Sequence, residues 1–335
     1  MARQVQFDQL GGPEVLTVRE VEIDPPGPGE VLIRVEAIGV NRAEAMFREG
    51  SYFLQPAFPS TLGYEAAGTV EALGEGVAGL AEGDAVGVVP AFSMNDYGTY
   101  GDLVVVPHSA VVPRPSDIDP VTAAAVWMAY ITGYGALIDE GGLRAGDHVL
   151  LTAAAGGVGL AAVQTARRIG AVPIATTRGA DKKQALLDAG AAHVIVTDTE
   201  DLPTRVKEIT GGEGVRLAFD PVAGPGVDTL AEAIAPGGKL LVYGALDPRP
   251  TPLPNAAFYP DLSTSMFTMF RVTADPERLR RAVAFVTAGL GDGSLAPVVD
   301  RTFDLDDVAD AHRYMESNAQ TGKIVITVGH RTDAS

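Results

Sequence analysis

The residues with the clearest chemical potential form a glycine turn, Ala154-Ala155-Gly156-Gly157-Val158-Gly159, directly after the apolar run His148-Val149-Leu150-Leu151-Thr152. A strand that turns on glycine into a helix presents backbone N–H groups and the positive end of the helix dipole to an anion. The spacing matches the dinucleotide-binding fingerprint with alanine in place of its first glycine. Gly156 then lets the backbone approach a pyrophosphate and Gly159 lets the helix pack on its strand, with Ala155, Gly157 and Val158 completing the cradle. About twenty residues on, where an Asp or Glu would bond the ribose 2′-hydroxyl of NAD, the chain reads Thr176-Thr177-Arg178-Gly179-Ala180-Asp181-Lys182-Lys183. The strand ends on hydroxyls and a guanidinium. Thr176, Arg178 and Lys182 are therefore the candidates to receive a 2′-phosphate, which favours NADP(H), whereas Lys183 is expected to be solvated.

That basic loop stands out because the chain is acidic. Its 25 Lys+Arg against 43 Asp+Glu give a net charge of −18, which repels a phosphate-rich polymer and excludes nucleic acid as a partner. Screening confines this field to roughly 8 Å at physiological ionic strength, so a few local cations still hold a single phosphate. There are no cysteines, which removes disulfides, thiol nucleophiles and thiolate zinc sites. The histidines (His108, His148, His193, His312 and His330) are scattered without ligand spacing, so they read as surface or structural residues and no metal is expected.

At 335 residues the chain has length for about two domains. Its first third carries short strand-like runs, Val31–Val35, Gly68–Leu73 and Ala85–Val89, separated by turn clusters such as Pro25-Pro26-Gly27-Pro28-Gly29. From His148 the grammar becomes strand, turn, helix, strand, with strands at 148–152, 172–176, 194–196, 215–220 and 240–243 and helices at 158–169, 182–189, 202–210 and 227–235. Alternation of this kind predicts a parallel sheet covered by helices on both faces. After a proline-rich stretch (Pro248, Pro250, Pro252, Pro254, Pro260), a helix is expected at 276–288 and another at 306–317, with late strands around 298–299 and 324–328 that return to the first domain. The expected architecture is a nucleotide domain inserted into a split β domain. The first residues hold no apolar run suited to a signal peptide, which predicts a cytoplasmic protein. The uncharged stretch Val121–Ile138, interrupted by Thr122, Tyr130, Thr132, Gly133, Tyr134 and Gly135, reads as a buried helix and not as a membrane span.

Taken together, Gly11-Gly12-Pro13-Glu14-Val15-Leu16, Gly39-Val40-Asn41, Gly63-Tyr64-Glu65-Ala66-Ala67-Gly68, Gly83-Asp84-Ala85-Val86, the glycine turn, Phe219-Asp220-Pro221-Val222 and Tyr243-Gly244-Ala245-Leu246 resemble the medium-chain dehydrogenase/reductases, and within them the zinc-free quinone oxidoreductase (zeta-crystallin-like) branch. The resemblance covers essentially the whole chain. It implies an α/β protein in which a GroES-like β-rich catalytic domain (1–122 and 268–335) is split around an inserted Rossmann doubly wound parallel-sheet domain (123–267). It also implies a homodimer.

In the zinc enzymes of that superfamily a cysteine stands where this chain has Asn41 and a histidine where it has Tyr64. Glu65 fits the family position and reads as a structural carboxylate bonded to backbone or an arginine. Without a Lewis acid, a carbonyl must be polarised by hydrogen bonds while the nicotinamide supplies hydride. The resemblance places Asn41 and Tyr52 beside the nicotinamide as the catalytic pair, Asn41 as an amide donor to a developing oxyanion and Tyr52 as a phenolic donor of a proton or hydrogen bond. Met46 stands where relatives often carry a second tyrosine, which makes the surroundings more apolar. Thr132, the loop residues Tyr243, Gly244 and Ala245, and Lys323 of Gly322-Lys323-Ile324-Val325 match positions near the cofactor. The implied activity is NADPH-dependent hydride transfer to a quinone or an α,β-unsaturated carbonyl compound, a small apolar substrate. A zinc-independent ketone reductase is the alternative, and a non-catalytic, crystallin-like nucleotide-binding protein is the third reading.

Overall fold

The computed structural model describes residues 1–255 and 261–329, so Pro260 and His330 lie outside the described residues. The chain divides into two compact units, Met1–Met128 together with the chain from Pro297 onward, and Ala129–Ala296. Both divisions fall later in the sequence than the expected 122/123 and 267/268. The second moves because the helix Pro276–Gly291 stays with the inserted unit.

The split unit is β-rich. Strands β1 (Ala2–Gln6) and β2 (Thr17–Val21) pair antiparallel. The hub is β3 (Glu30–Gly39), which pairs antiparallel with β4 (Ala66–Leu73) and with β6 (Leu103–Pro107), while β4 continues to β5 (Ala85–Val88) and β5 to β7 (Val111–Pro113). Val31, Ile33, Val35 and Ala37 of β3 are fully buried on alternate positions, the period-two pattern of a half-buried strand. Between β3 and β4 lies helix α1 (Arg42–Glu49), whose Glu44 reaches back to accept the N–H of Asn41 at 2.8 Å in a capping box and whose end is closed by Gly50 in the left-handed region.

The inserted unit holds β8 (His148–Leu151), β9 (Val172–Thr177), β10 (His193–Val196), β11 (Val215–Asp220), β12 (Ile234–Val242) and β13 (Ser263–Met266), all parallel, in the order β10-β9-β8-β11-β12-β13. Helices α2 (Gly157–Arg168), α3 (Lys183–Asp188), α4 (Leu202–Ile209) and α5 (Val227–Glu232) form the crossovers. This order is that of a doubly wound dinucleotide fold, and it reverses between β8 and β11, where such sheets open a crevice at their carboxyl ends. Leu150, Ile174, Ile195, Ala218 and Leu240, one from each of five strands, share one core with Val206, Val227 and Leu230 of the helices. Burial on both faces explains why these strands read as continuous apolar runs.

After α6 (Pro276–Gly291) the chain returns to the split unit. There β14 (Val299–Asp304) pairs parallel with β15 (Lys323–Thr327), α7 (Val308–Glu316) connects them, and β15 pairs antiparallel with β3. The apolar stretch Pro120–Glu140 is long enough to cross a membrane by composition, and 83% of its most apolar window is buried inside the protein, as expected for a core helix.

Candidate active site

Four loops of the inserted unit follow the carboxyl ends of β8, β9, β11 and β12. The turn after β8 is tied to its neighbour strand, with the Ala153 N–H on the Thr176 hydroxyl at 3.3 Å and the Ala154 N–H on the Thr176 carbonyl at 3.0 Å. Thr176 is thereby placed beneath the turn with its side chain buried. Gly159 is required sterically, since a Cβ there would lie within 2.5 Å of the Ala154 backbone. At Gly156, the N-cap of α2, a Cβ would meet no atom within 4 Å. The glycine turn thus has a packed side and an open side, and the open side faces the first-turn N–H groups that the helix itself leaves without partners. This is a cradle that fits an anionic group.

Ala155 is buried and Gly157 and Val158 are half-buried in that turn, while Arg178 is exposed just beyond β9 and Lys182 is half-buried in the short helical turn Ala180–Lys182. On the other side of the crevice, the Thr152 hydroxyl donates to Asp220, whose second oxygen accepts the Ala223 N–H at 2.6 Å, linking the ends of β8 and β11. Tyr243 stacks on Phe219 with ring centroids 4.0 Å apart. Gly244 follows it because a Cβ there would lie 2.5 Å from the Pro221 carbonyl oxygen, and Ala245 is exposed. Most of the expected cofactor residues are therefore gathered at one edge. Thr132 is buried within the helix Trp127–Tyr134.

Lys323 opens β15 in the split unit. Its ammonium is buried in the split unit, where it donates to the Asn41 side-chain oxygen at 2.7 Å, to the Val40 carbonyl at 3.1 Å and to Glu65. An ammonium has three hydrogens, and three acceptors for them lie inside the unit. Asn41 is engaged in the same cluster. Its amide nitrogen faces the Gly39 carbonyl (3.0 Å), Glu44 (3.1 Å) and Glu65 (3.1 Å), three acceptors for two hydrogens. Asn41 is thus the crosspiece of a buried polar cluster. Glu65 is a structural carboxylate, fully buried, with Lys323, Asn41 and the Met128 N–H (2.9 Å) on it.

The cluster continues inward. Glu44 also accepts the Tyr100 hydroxyl at 2.7 Å, and burial pushes its carboxyl up to about 7 against the hydrogen bonds it receives. Tyr100 meets His312 Nε2 at 3.3 Å, and His312 Nδ1 faces the fully buried Arg48 at 3.5 Å. A guanidinium only donates, so Nδ1 accepts and the His312 hydrogen sits on Nε2, directed to the Tyr100 oxygen. Arg48 is completed by the Gly11 carbonyl, Glu49 and Glu316. Burial, with Arg48 and Arg42 nearby, pushes His312 down to about 3 from an ordinary 6.5. Because the folded value lies below the unfolded one, the stability this neutral histidine contributes is complete above pH 6.5 and is lost as pH falls toward 3, by about 1.4 kcal/mol per pH unit. Urea titrations at stepped pH should therefore show His312→Gln losing less stability than wild type as the pH falls from 6.5 to 4. Parallel losses in the two proteins would contradict a neutral buried histidine.

Tyr52 is half-buried, its ring 4.2 Å from that of Phe53, and its phenol lies near that of Tyr64. Burial pushes the Tyr52 phenol up to about 12 and Tyr64 further still. Sequence reasoning missed this phenol pair and the Glu44–Tyr100–His312–Arg48 chain. For Tyr64 a signal existed, since it stands at the place of a zinc-ligating histidine. For the chain there was none, since His312 lies 264 residues from Arg48. Among the described residues no three His, Asp or Glu side chains gather as a metal site.

Two family models match the chain, the alcohol dehydrogenase GroES-like domain over residues 27–116 and the zinc-binding dehydrogenase domain over residues 189–326. The human quinone oxidoreductase is 30% identical over 97% of this chain and 98% of its own length. The rat synaptic vesicle membrane protein VAT-1 homolog is 33% identical over 91% of this chain and 78% of its own. Among solved structures, the Escherichia coli quinone oxidoreductase complexed with NADPH superposes with a TM-score of 0.91 at 29% identity, over 97% of this chain and 99% of that one. The chain belongs to the medium-chain dehydrogenase/reductase superfamily, alongside its quinone oxidoreductases, and is an oxidoreductase with a GroES-like unit split around a Rossmann unit.

Proposed function

We propose that this protein is a zinc-independent, NADPH-dependent reductase that delivers hydride to a quinone or an α,β-unsaturated carbonyl compound. The observation that carries the reading is the open side of Gly156 at the N-terminus of α2, flanked by the basic residues that follow β9. The relatives support it, one of them solved with NADPH. Gly156, Gly157 and Val158 would hold the pyrophosphate, Arg178 and Lys182 the 2′-phosphate, and Tyr243 to Ala245 the far wall of the crevice. Bound in reduced form, the nicotinamide supplies a hydride. Tyr52 then donates its phenolic proton to the oxygen that gains charge. Asn41 acts one step back by keeping Glu44, Glu65 and Lys323 in register. A ketone reductase remains the second reading because the same donor serves a carbonyl oxygen. A homodimer, as the resemblance implies, would cover the sheet edge at β13, where Met266 is 59% exposed.

Two experiments bear on this. Replacing Arg178 and Lys182 together by alanine should weaken NADPH binding by about 1–3 kcal/mol and spare NADH, as lost charge-assisted hydrogen bonds would. Equal losses for both cofactors in a fluorescence titration would refute the 2′-phosphate assignment. Steady-state NADPH oxidation against a panel of quinones, enones and ketones tests the activity itself. Turnover with a quinone or enone supports the first reading, turnover with ketones alone favours the second, and none with any acceptor leaves the non-catalytic nucleotide-binding protein.

A further inference from the structure

We propose, on the reading that NADPH binds in the glycine-turn cradle, that Gln164 is a positioning residue that couples occupancy of the cradle to both places where the chain leaves the inserted unit. The chain passes out of that unit between Met128 and Ala129 and again between Ala296 and Pro297. Gln164 stands on α2, about 12 Å along the helix from Gly156 at roughly 1.5 Å per residue. Its side chain is buried and holds a residue beside each passage. The Gln164 side-chain oxygen accepts the Tyr130 hydroxyl at 2.7 Å and the Ala296 N–H at 2.8 Å, and its amide nitrogen donates to the Ala296 carbonyl at 2.9 Å.

α2 grips the second passage at a further point. Arg168, one turn on from Gln164 and on the same face of the helix, pairs with Asp292 at 2.6 Å and donates to the Ser294 hydroxyl. Leu295 between them is buried against Gly289, where a Cβ would collide with it. Ala296 is exposed, so once Gln164 lets go its N–H is open to water and its exchange reports the clamp directly. At the first passage, the helix Trp127–Tyr134 runs so close to α2 that a Cβ on Gly133 would lie 3.5 Å from the Ala162 backbone. One helix thus carries the cradle at its N-terminus and the clamp two turns further along. Its first-turn N–H groups have no partners within the helix, and an anion that accepts from them fixes that turn. States in which α2 slips off Tyr130 and Ala296 then lose population. Such coupling is reciprocal, so the factor by which NADPH suppresses release of the clamp is also the factor by which the clamp strengthens NADPH binding.

Hydrogen exchange read by mass spectrometry, with and without saturating NADPH, tests this on wild type, Gln164→Leu and Tyr130→Phe, alongside NADPH titrations. In wild type NADPH should slow exchange at the glycine turn. It should also slow the Ala296 amide and peptide 127–131 by about 5-fold or more, the lower end of the usual range for coupled sites. Gln164→Leu replaces the amide by an apolar side chain. It should lose the NADPH-dependent slowing at both passages, keep it at the turn, and lose NADPH affinity by the factor measured in wild type. Tyr130→Phe removes a single oxygen and serves where Gln164→Leu does not fold: the slowing should vanish at 127–131 and persist at Ala296. Slowing at the turn with none at either passage in wild type would overturn the coupling and leave the cofactor reading standing. Wild-type affinity in a folded Gln164→Leu protein would do the same, by showing that the glutamine serves packing alone, as would undiminished slowing at 127–131 in Tyr130→Phe. No slowing at the turn itself would overturn the cofactor reading as well.

Discussion

Replacing Lys323 by methionine is expected to lower the stability of the protein by about 3–5 kcal/mol, the cost of leaving one member of a buried ion pair without the other. Glu65 is fully buried and its carboxylate sits where Gly39 has no side chain. With Lys323 gone, Glu65 retains only the Asn41 amide and the Met128 N–H. The Val40 carbonyl and the Asn41 oxygen lose the same donor. Methionine is close to lysine in length and apolar, so packing is kept and charge is the quantity changed. Adding Glu65→Gln to Lys323→Met removes the orphaned charge and should recover more than half of the loss in urea denaturation. A double variant as unstable as the single one would show that the lysine matters for its packing instead.

The second large effect separates two glycines three residues apart. Gly159→Ala should destabilise the protein by about 1–3 kcal/mol or more, the range for overpacking a close contact, because its methyl group meets Ala154 backbone that is itself tied to β9. Gly156→Ala should leave stability within about 0.5 kcal/mol of wild type, as for a substitution into open space. The same methyl group would stand in the cradle and weaken NADPH binding, by at least tenfold if it displaces the pyrophosphate from the helix N-terminus. Thermal melts and cofactor titrations on the two variants check this directly. Unchanged affinity in a well-folded Gly156→Ala protein would remove the main support for the cradle.

The parallel-sheet unit was legible in the sequence because its strands are apolar on both faces and its turns are marked by glycine. The strand Val215–Asp220 was expected at its observed limits, and the Gly157–Arg168 helix within one residue of its own. The sixth strand was not legible. Ser263-Thr264-Ser265-Met266 closes the sheet as an edge and is polar and largely exposed, so it carries no apolar run. Helix 227–235 was read too long because the strand that follows begins at Ile234 without an intervening turn cluster. The late return of the chain was correctly expected, with β15 docking on β3.

The site divided in the same way. The packing role of Gly159 could be read from spacing. Roles that depend on which polar groups meet in the interior could not. Asn41 and Lys323 have the chemistry of ligand donors, and only the fold reveals that Glu44, Glu65 and the Val40 carbonyl already take their hydrogens.

The most direct measurement of the proposed reaction is label transfer from NADPH carrying deuterium at C4 of the dihydronicotinamide, with an enone acceptor and the product analysed by mass spectrometry. One deuterium per product molecule is expected at the β-carbon, delivered from only one of the two C4 epimers, with protium from water at the α-carbon. Label at the carbinol carbon would assign carbonyl reduction instead. Product without deuterium from either epimer, or no product at all, would contradict hydride transfer by this protein.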